Sequence, residues 1–363
     1  MRKTRRKGSV RVNAVLAGDV GGTHSRFAMV EVESKKTLHE AVLSSRDYPS
    51  FHSALRHFLS EAPAAPRIRA ASFGIAGPAI GGRVDATNLP WRIDARVVAR
   101  HLDLDLQNVT LMNDLVAVGL GAMAARKLFV IHLGRPKRAP KRECGNFGVI
   151  SAGTGLGEAA LVWDGAKHVP CASEGAHVDF APRTPVESDL RAKLGSTYGH
   201  VSYERVASAS SIAMIYDFFV RDQHVEESND NAAHVASARD KNAVVVELAL
   251  AGSSEAAMRA VDLWASVYGA EAGNLALKCF ATGGIYVCGS VSAHLASVLA
   301  FGLPARRQGK AAPAASPFVE AFVDKGRMRS LLEKIPIAVV TESKVGLLGA
   351  AAHARAVART VGR

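Results

Sequence analysis

Long apolar runs are missing from this chain: no stretch approaches about 18 uninterrupted apolar residues, so a membrane-spanning helix is not expected. Cysteine is scarce as well. The four, Cys144, Cys171, Cys279 and Cys288, stand 27, 108 and 9 residues apart, with no Cys-x-x-Cys or Cys-x-Cys among them. That spacing offers neither a zinc site nor a disulfide framework, and it fits a reducing, cytoplasmic setting. The N-terminal stretch, Met1 to Arg11, is basic but lacks the apolar core of a secretion signal. Acidic residues are outnumbered, 33 against 45 basic, leaving a net charge of +12. Ten of those twelve charges fall in two short segments. Arg2, Lys3, Arg5, Arg6, Lys7 and Arg11 form one, and Arg135, Lys137, Arg138, Lys141 and Arg142, less Glu143, form the other. Charge runs of this kind are solvated tails and loops, and no recognition motif accompanies them, so no specific nucleic-acid partner is expected.

What is present is enough for about two domains: 363 residues, 48% hydrophobic and 21% charged, the balance of an ordinary globular protein. The most informative stretch is Val15 to Met29, V-L-A-G-D-V-G-G-T-H-S-R-F-A-M. An apolar run ends at Gly18-Asp19, a turn follows at Val20 to Thr23, and a second apolar run begins at Phe27. This reads as strand, glycine turn, strand. Gly21 and Gly22 would let backbone N–H groups approach an anion, Thr23 adds a hydroxyl, and Asp19 is placed to hold a metal through water. An ordinary Gly-Gly hairpin is the alternative. Phe147 to Val162, F-G-V-I-S-A-G-T-G-L-G-E-A-A-L-V, repeats the plan with Gly153, Thr154, Gly155 and Gly157. Two such hairpins suggest two halves holding one polyphosphate.

Between and beyond the hairpins the pattern alternates helix and strand. Ser50 to Glu61 has apolar residues at 51, 54, 55, 58 and 59, a helical face with Ser50 as its N-cap. Ala70 to Ile75 reads as a buried strand running into A-G-P (76 to 78) and N-L-P-W (88 to 91), where Trp91 either lines a ligand or packs in the core. Val109 to Met112 is a short strand and Leu115 to Met123 a helix, with Asn113-Asp114 at the junction. A polar residue there is often an N-cap. It also stands where open α/β sheets place their ligands, at the carboxyl end of a strand. The spacing predicts a surface excursion over 126 to 143, a polar loop over 221 to 242 and a long helix over 253 to 280. Gly269 and Gly273 in that helix permit close packing or a break.

These motifs, in this order, resemble the bacterial hexose kinases of the glucokinase family, within the actin-like, ribonuclease-H-like ATPase class. The likeness runs from about Val15 to about Ala354. It implies an α/β, two-lobed actin-like/ribonuclease-H-like fold with a cleft between a smaller N-terminal and a larger C-terminal domain. The expected parts are a basic tail (1 to 12), a small α/β domain (13 to 123 plus 341 to 363) and a large one (124 to 340). V-T-L-M-N-D-L-V-A-V (109 to 118) is similar to the family's catalytic segment, which makes Asp114 the general base and Asn113 a sugar ligand. A-S-E-G-A-H-V-D-F-A-P (172 to 182) resembles its sugar segment, carrying over Glu174 and His177 with Ala176 in place of a glycine. Taken alone, Glu174 would be a solvated loop acid and His177 a structural histidine. Glu204, in G-H-V-S-Y-E-R-V (199 to 206), corresponds to the third sugar-binding acid. The family's L-S-G-x-G, which follows, is here A-S-A-S-S (207 to 211), which bears on hexose specificity. T-G-G-I-Y-V-C-G-S (282 to 290) is similar to the adenosine motif G-G-I/V-x-I/L-x-G-G, giving Gly289 to the nucleotide, with Ser290 replacing the last glycine. The unclustered cysteines argue against the related repressor–kinase group, which carries a zinc motif.

The resemblance implies ATP-dependent phosphorylation of glucose at the 6-hydroxyl in glycolysis. ATP and Mg²⁺ would be the cofactors, Asp19 would orient the metal, and the enzyme would be a cytoplasmic homodimer with no membrane partner. The two hairpins would bind phosphates, Asp114 would take the hydroxyl proton, and sugar binding would draw the lobes together. The rival readings are a kinase for another hexose or amino-hexose, a polyphosphate-dependent kinase, a sugar sensor without turnover, and an actin-like filament module.

Overall fold

The computed structural model describes residues 12 to 63, 66 to 87, 89 to 131, 145 to 307 and 315 to 361. The basic tail, the Arg135–Arg142 loop, Cys144 and Asn88 lie outside these residues. The chain divides into two compact units, one made of residues up to Ala125 together with Lys344 onward, the other of Arg126–Ser343. None of the helices among the described residues is long and apolar enough to cross a membrane.

In the first unit, β1 (Asn13–Val20), β2 (His24–Glu31), β3 (Thr37–Ser44) and β4 (Arg67–Ile75) form most of a five-stranded sheet. β5 (Ala79–Ile80), β6 (Arg83–Asp85) and β7 (Arg92–Asp94) make a small separate sheet, and β8 (Val109–Asn113) completes the main one. The main order is β3-β2-β1-β4-β8, with β1–β2 and β2–β3 antiparallel and β1–β4 and β4–β8 parallel. Both faces of β1 meet apolar neighbours, which explains its unbroken apolar run from Ala14 to Ala17. Ala14 and Leu16 face a core with Phe27, Phe51 and Phe73, while Val15 and Ala17 face Leu347, Ala350 and Ala354 of the helix Val345–Val361. Ser50 caps the helix Phe51–Glu61, as expected, in a reciprocal capping box with Ser53. Trp91 is in the core, 2% exposed, its indole N–H donating to the Tyr48 carbonyl at 3.2 Å. Its ring therefore serves packing, and the ligand-lining alternative falls away.

The second unit repeats the plan. β9 (Leu128–Ile131), β10 (Phe147–Ala152), β11 (Leu156–Trp163), β12 (His168–Ser173), β13 (Gly284–Cys288) and β14 (Ile337–Val340) are ordered β12-β11-β10-β13-β14-β9. β10, like β1, has an antiparallel hairpin partner on one side and a parallel strand on the other. Two expected loops contain structure. The excursion after residue 125 begins with β9, whose apolar L-F-V-I pairs antiparallel with β14 more than 200 residues away. The polar segment 221 to 242 holds the helix Asn229–Ser237, capped by Ser228. The long helix spans Glu255–Lys278 without a break. Its two glycines serve close packing: a Cβ at Gly269 would collide with the Phe318 carbonyl, and one at Gly273 would lie 2.5 Å from the Phe322 carbonyl.

Candidate active site

The first hairpin turn is Gly21 to Thr23, between β1 and β2. Neither Gly21 nor Gly22 has a positive φ, so the turn of this antiparallel hairpin is not of type I′. The turn is fastened by Gly21 N–H to the His24 carbonyl at 3.0 Å and by the buried Ser45 hydroxyl donating to the Gly21 carbonyl at 2.7 Å. Ser45 N–H also donates to the Thr23 carbonyl at 2.9 Å, and Ser25 and Ser45 hydroxyls share a bond of 2.9 Å. Gly21 N–H is spent on closing the turn, so the N–H groups of Gly22 and Thr23 and the Thr23 hydroxyl are its donors for an anion. Ser45 had no local sequence signal, because its partners lie 20 and 24 residues away.

Asp19 is the penultimate residue of β1 and pairs across the ladder with Arg26, whose guanidinium is 3.8 Å from Oδ2. Burial pushes its carboxyl above the usual range, and Arg26 partly opposes this. A Cβ on Gly346 would stand 3.0 Å from the Asp19 Cγ and Oδ2, so the first turn of the helix Val345–Val361 abuts this carboxylate. A helix N-terminus favours a negative group there. Among the described residues no cluster of three or more His, Cys, Asp or Glu is arranged to hold a metal. Mg²⁺ needs no such cage, because it keeps most of its waters and takes the rest of its ligands from phosphates. A lone acid beside a nest of donors fits that requirement.

Asn113 ends β8 and Asp114 begins the helix Asp114–Ala124. Asn113 does cap this helix: Oδ1 accepts from Leu115 N–H at 2.8 Å, and Nδ2 donates to the Gly77 carbonyl at 3.2 Å. These bonds use one of two lone pairs and one of two N–H groups, leaving one of each for a ligand. Asp114 Oδ1 also accepts from Leu115 N–H at 3.0 Å, and its side chain is half-buried. Asp19 pairs with Gly74 on β4, and Gly74 with Met112 on β8. A Cβ on Gly74 would lie 3.6 Å from the Asp114 Cα, so Asp19 and Asp114 both stand at the carboxyl-terminal edge of the parallel strands.

In the second unit, the turn Gly153 to Gly155 closes with Gly153 N–H to the Gly155 carbonyl at 2.8 Å. The A-S-A-S-S segment grips this turn. Ser210 Oγ donates to the Thr154 carbonyl at 2.7 Å, and Ala209 N–H donates to the Gly153 carbonyl at 2.9 Å. Glu204 reaches the same hairpin: its Oε2 accepts from Leu156 N–H at 3.1 Å and occupies the space a Cβ on Gly155 would need. Gly289 follows β13 with φ +100°, and a Cβ there would collide with the Ala152 carbonyl, which explains the glycine by backbone geometry. Ser290 is exposed at the start of the short helix Ser290–His294.

Of the four residues carried over as sugar ligands, the three in the second unit meet in one row. His177 Nε2 is 3.8 Å from Glu174 Oε2, and its Nδ1 is 3.8 Å from Glu204 Oε1. Glu174 and His177 are exposed at 66% and 56%, so His177 is no buried structural histidine. Two carboxylates and an imidazole in line supply the alternating acceptors and donors that a ring of hydroxyls requires.

Known proteins resemble this chain over most of its length. The family model described as Glucokinase matches residues 16 to 357. A glucokinase of Synechocystis sp. is 36% identical over 371 aligned residues, covering 95% of this chain and 98% of the relative. Among solved structures, a glucokinase from an Antarctic psychrotroph has a TM-score of 0.75 at 27% identity, covering 95% of this chain and 99% of the other. A ROK family glucokinase from Streptomyces griseus, solved with glucose and AMPPNP, shares the fold, with a TM-score of 0.58 at 19% identity over 95% and 100% of the two chains. The two repeated sheets are those of the actin-like ATPase fold. With a family match over most of its length and a full-length relative above 30% identity, the chain belongs to the glucokinase family.

Proposed function

We propose that this chain transfers the γ-phosphoryl group of ATP to the 6-hydroxyl of glucose, with Asp114 as general base. The observation that carries the reading is the placement of Asp114 at the strand edge that also bears the Asp19 hairpin. Phosphoryl transfer through a loose transition state demands positioning and charge stabilisation more than covalent help. In the turn Gly21 to Thr23 the N–H groups of Gly22 and Thr23 and the Thr23 hydroxyl would donate to phosphate oxygens, and in the turn Gly153 to Gly155 those of Thr154 and Gly155, with Gly21 and Gly153 closing their turns and Gly289 at the nucleotide. Bound Mg²⁺ would neutralise phosphate charge, and Asp19 would hold it through water. Asn113, Glu174, His177 and Glu204 bond the sugar hydroxyls, a construction that rejects analogues lacking one. Asp114 accepts the proton of the attacking hydroxyl; a loose transition state needs little deprotonation until late. Family membership and the hairpins support ATP and glucose, and family membership alone supports a cytoplasmic homodimer, which sedimentation would test.

The test is a coupled assay of wild type and Asp114→Asn with glucose, mannose, fructose and glucosamine, and with ATP or polyphosphate as donor. Asp114→Asn is expected to lower kcat by about 10²–10⁴-fold while glucose Kd changes little. A variant keeping more than about a tenth of kcat would remove Asp114 from the base role.

A further inference from the structure

Under the row of proposed sugar ligands lies a pair of buried carboxyls that the reaction does not use. Glu158, on β11, is 1% exposed and Glu271, on the helix Glu255–Lys278, is fully buried. Glu271 is well served: Oε2 accepts from Asn274 Nδ2 at 2.8 Å, and Oε1 pairs with Lys278 Nζ at 2.9 Å. Glu158 is not. Its Oε1 is buried with no hydrogen-bond partner among the described residues. Adding a proton makes the Glu158 carboxyl a donor, and Glu271 is the neighbouring carboxylate able to accept from it. Two adjacent buried carboxyls do not both ionise, because each charge is desolvated and repels the other. Burial first, then the charge of Glu271, push Glu158 up to about 8, against the opposing pull of Lys278.

Both segments that carry the sugar ligands rest on this pair. Glu158 Oε2 fills the space a Cβ on Gly175 would take, and Gly175 stands between Glu174 and His177. Asn274, which holds Glu271, also donates to the Tyr203 hydroxyl at 3.1 Å, and Tyr203 directly precedes Glu204. We propose that Glu158 and Glu271 act as a carboxylic acid–carboxylate pair sharing one proton, and that this proton positions Glu174, His177 and Glu204 for the hexose. The inference rests on the hexose-kinase reading. Loss of the proton would place two charges under Gly175 and Tyr203 and loosen both segments. The other charged or titratable groups facing the pair are Lys278, Lys325, Tyr203, Tyr268 and Cys279. Lys325 is the strongest competitor for an alkaline effect, since burial lowers its pKa and it faces Glu271.

The experiment is calorimetric binding of glucose to the full chain without nucleotide, from neutral to alkaline pH, for wild type and Glu158→Gln. Gln keeps the donor and cannot lose it. For wild type, glucose Kd is expected to rise above pH about 8, approaching tenfold per pH unit, with kcat at saturating glucose unchanged. Glu158→Gln is expected to keep the neutral-pH Kd within about twofold and to abolish the rise. A rise that persists in Glu158→Gln assigns it to another group such as Lys325 and overturns the proposal. So does a flat wild-type profile, or a folded Glu158→Gln that loses affinity at neutral pH. The infrared carboxylic-acid band of wild type supplies a readout that needs no variant. Its presence at neutral pH and loss over the span where Kd rises is expected, and its absence at neutral pH overturns the proposal. Failure to bind glucose at any pH would sink the hexose reading instead, while the band would still report on the pair.

Discussion

Glu204 has two tasks, and its two oxygens divide them. Oε1 faces His177 and so belongs with the sugar ligands, while Oε2 holds the Leu156 N–H of the second hairpin. Gly155 lies against the same oxygen with no room for a Cβ. Gly155→Ala must therefore displace either the hairpin or the carboxylate. Steady-state kinetics is expected to show KM raised for both glucose and ATP, by about tenfold each, the loss of roughly one charge-assisted hydrogen bond. A change confined to ATP would mean that the carboxylate had not moved. The sequence pattern named both residues but could not join them, since Gly155 and Glu204 are 49 positions apart and only the fold brings them into contact. Asn113 shows the reverse case. Its capping role was legible from the strand–helix junction, and the structure adds that capping leaves it half its hydrogen-bonding capacity.

Where the helix Asp114–Ala124 crosses the helix Val345–Val361, glycines face the other backbone. A Cβ at Gly349 would collide with the Ala117 carbonyl, and one at Gly121 with the Val345 carbonyl. Backbones this close leave nothing to yield, so overpacking is expected to force the helices apart. Gly349→Ala is expected to destabilise the first unit by about 3 kcal/mol or more and lower the thermal midpoint by several degrees. It should also lower kcat, because the displaced helix carries Asp114 at its first residue. Calorimetry and the coupled assay together check this, and an unchanged midpoint would contradict the packing. The sequence signalled the first of these as a helix, and the family resemblance placed 341 to 363 in the same domain. It held no sign that they touch, because a small residue on a helix face marks a close approach without naming the partner. The strand β9 escaped notice for a related reason: four apolar residues flanked by basic and proline-rich sequence form a strand only because β14 offers an edge.

For the whole molecule, stability against pH follows from the buried groups. His52 and His353 are lowered by burial, so the fold holds them neutral and loses stability as pH falls below about 6.5. Glu158 has the opposite sign. Raised from 4.5 to about 8, it binds its proton in the fold where the unfolded chain has released it, so stability falls as pH rises toward 8. A maximum near pH 6.5 is expected, with a loss of up to about 2 kcal/mol between 6.5 and 8 in the unit that holds Glu158. Glu158→Gln should flatten the alkaline side alone, and thermal denaturation across pH checks it. A profile still rising from pH 6.5 to 8 would contradict the assignment.

The order of short apolar runs and glycine turns determined both hairpins and the Asn-Asp junction, while the fold class and the proposed ligands followed from the resemblance of those motifs to the glucokinase family. Local chemistry sufficed there, because turns, caps and alternating strands are set by residues close in sequence. Only the tertiary structure decided that Ser45 fastens one turn and Ser210 the other, that Trp91 is core, and that Glu158 and Glu271 share a buried space. Those depend on which distant segments exclude water together, and desolvation is a property of the packed chain that no single stretch contains.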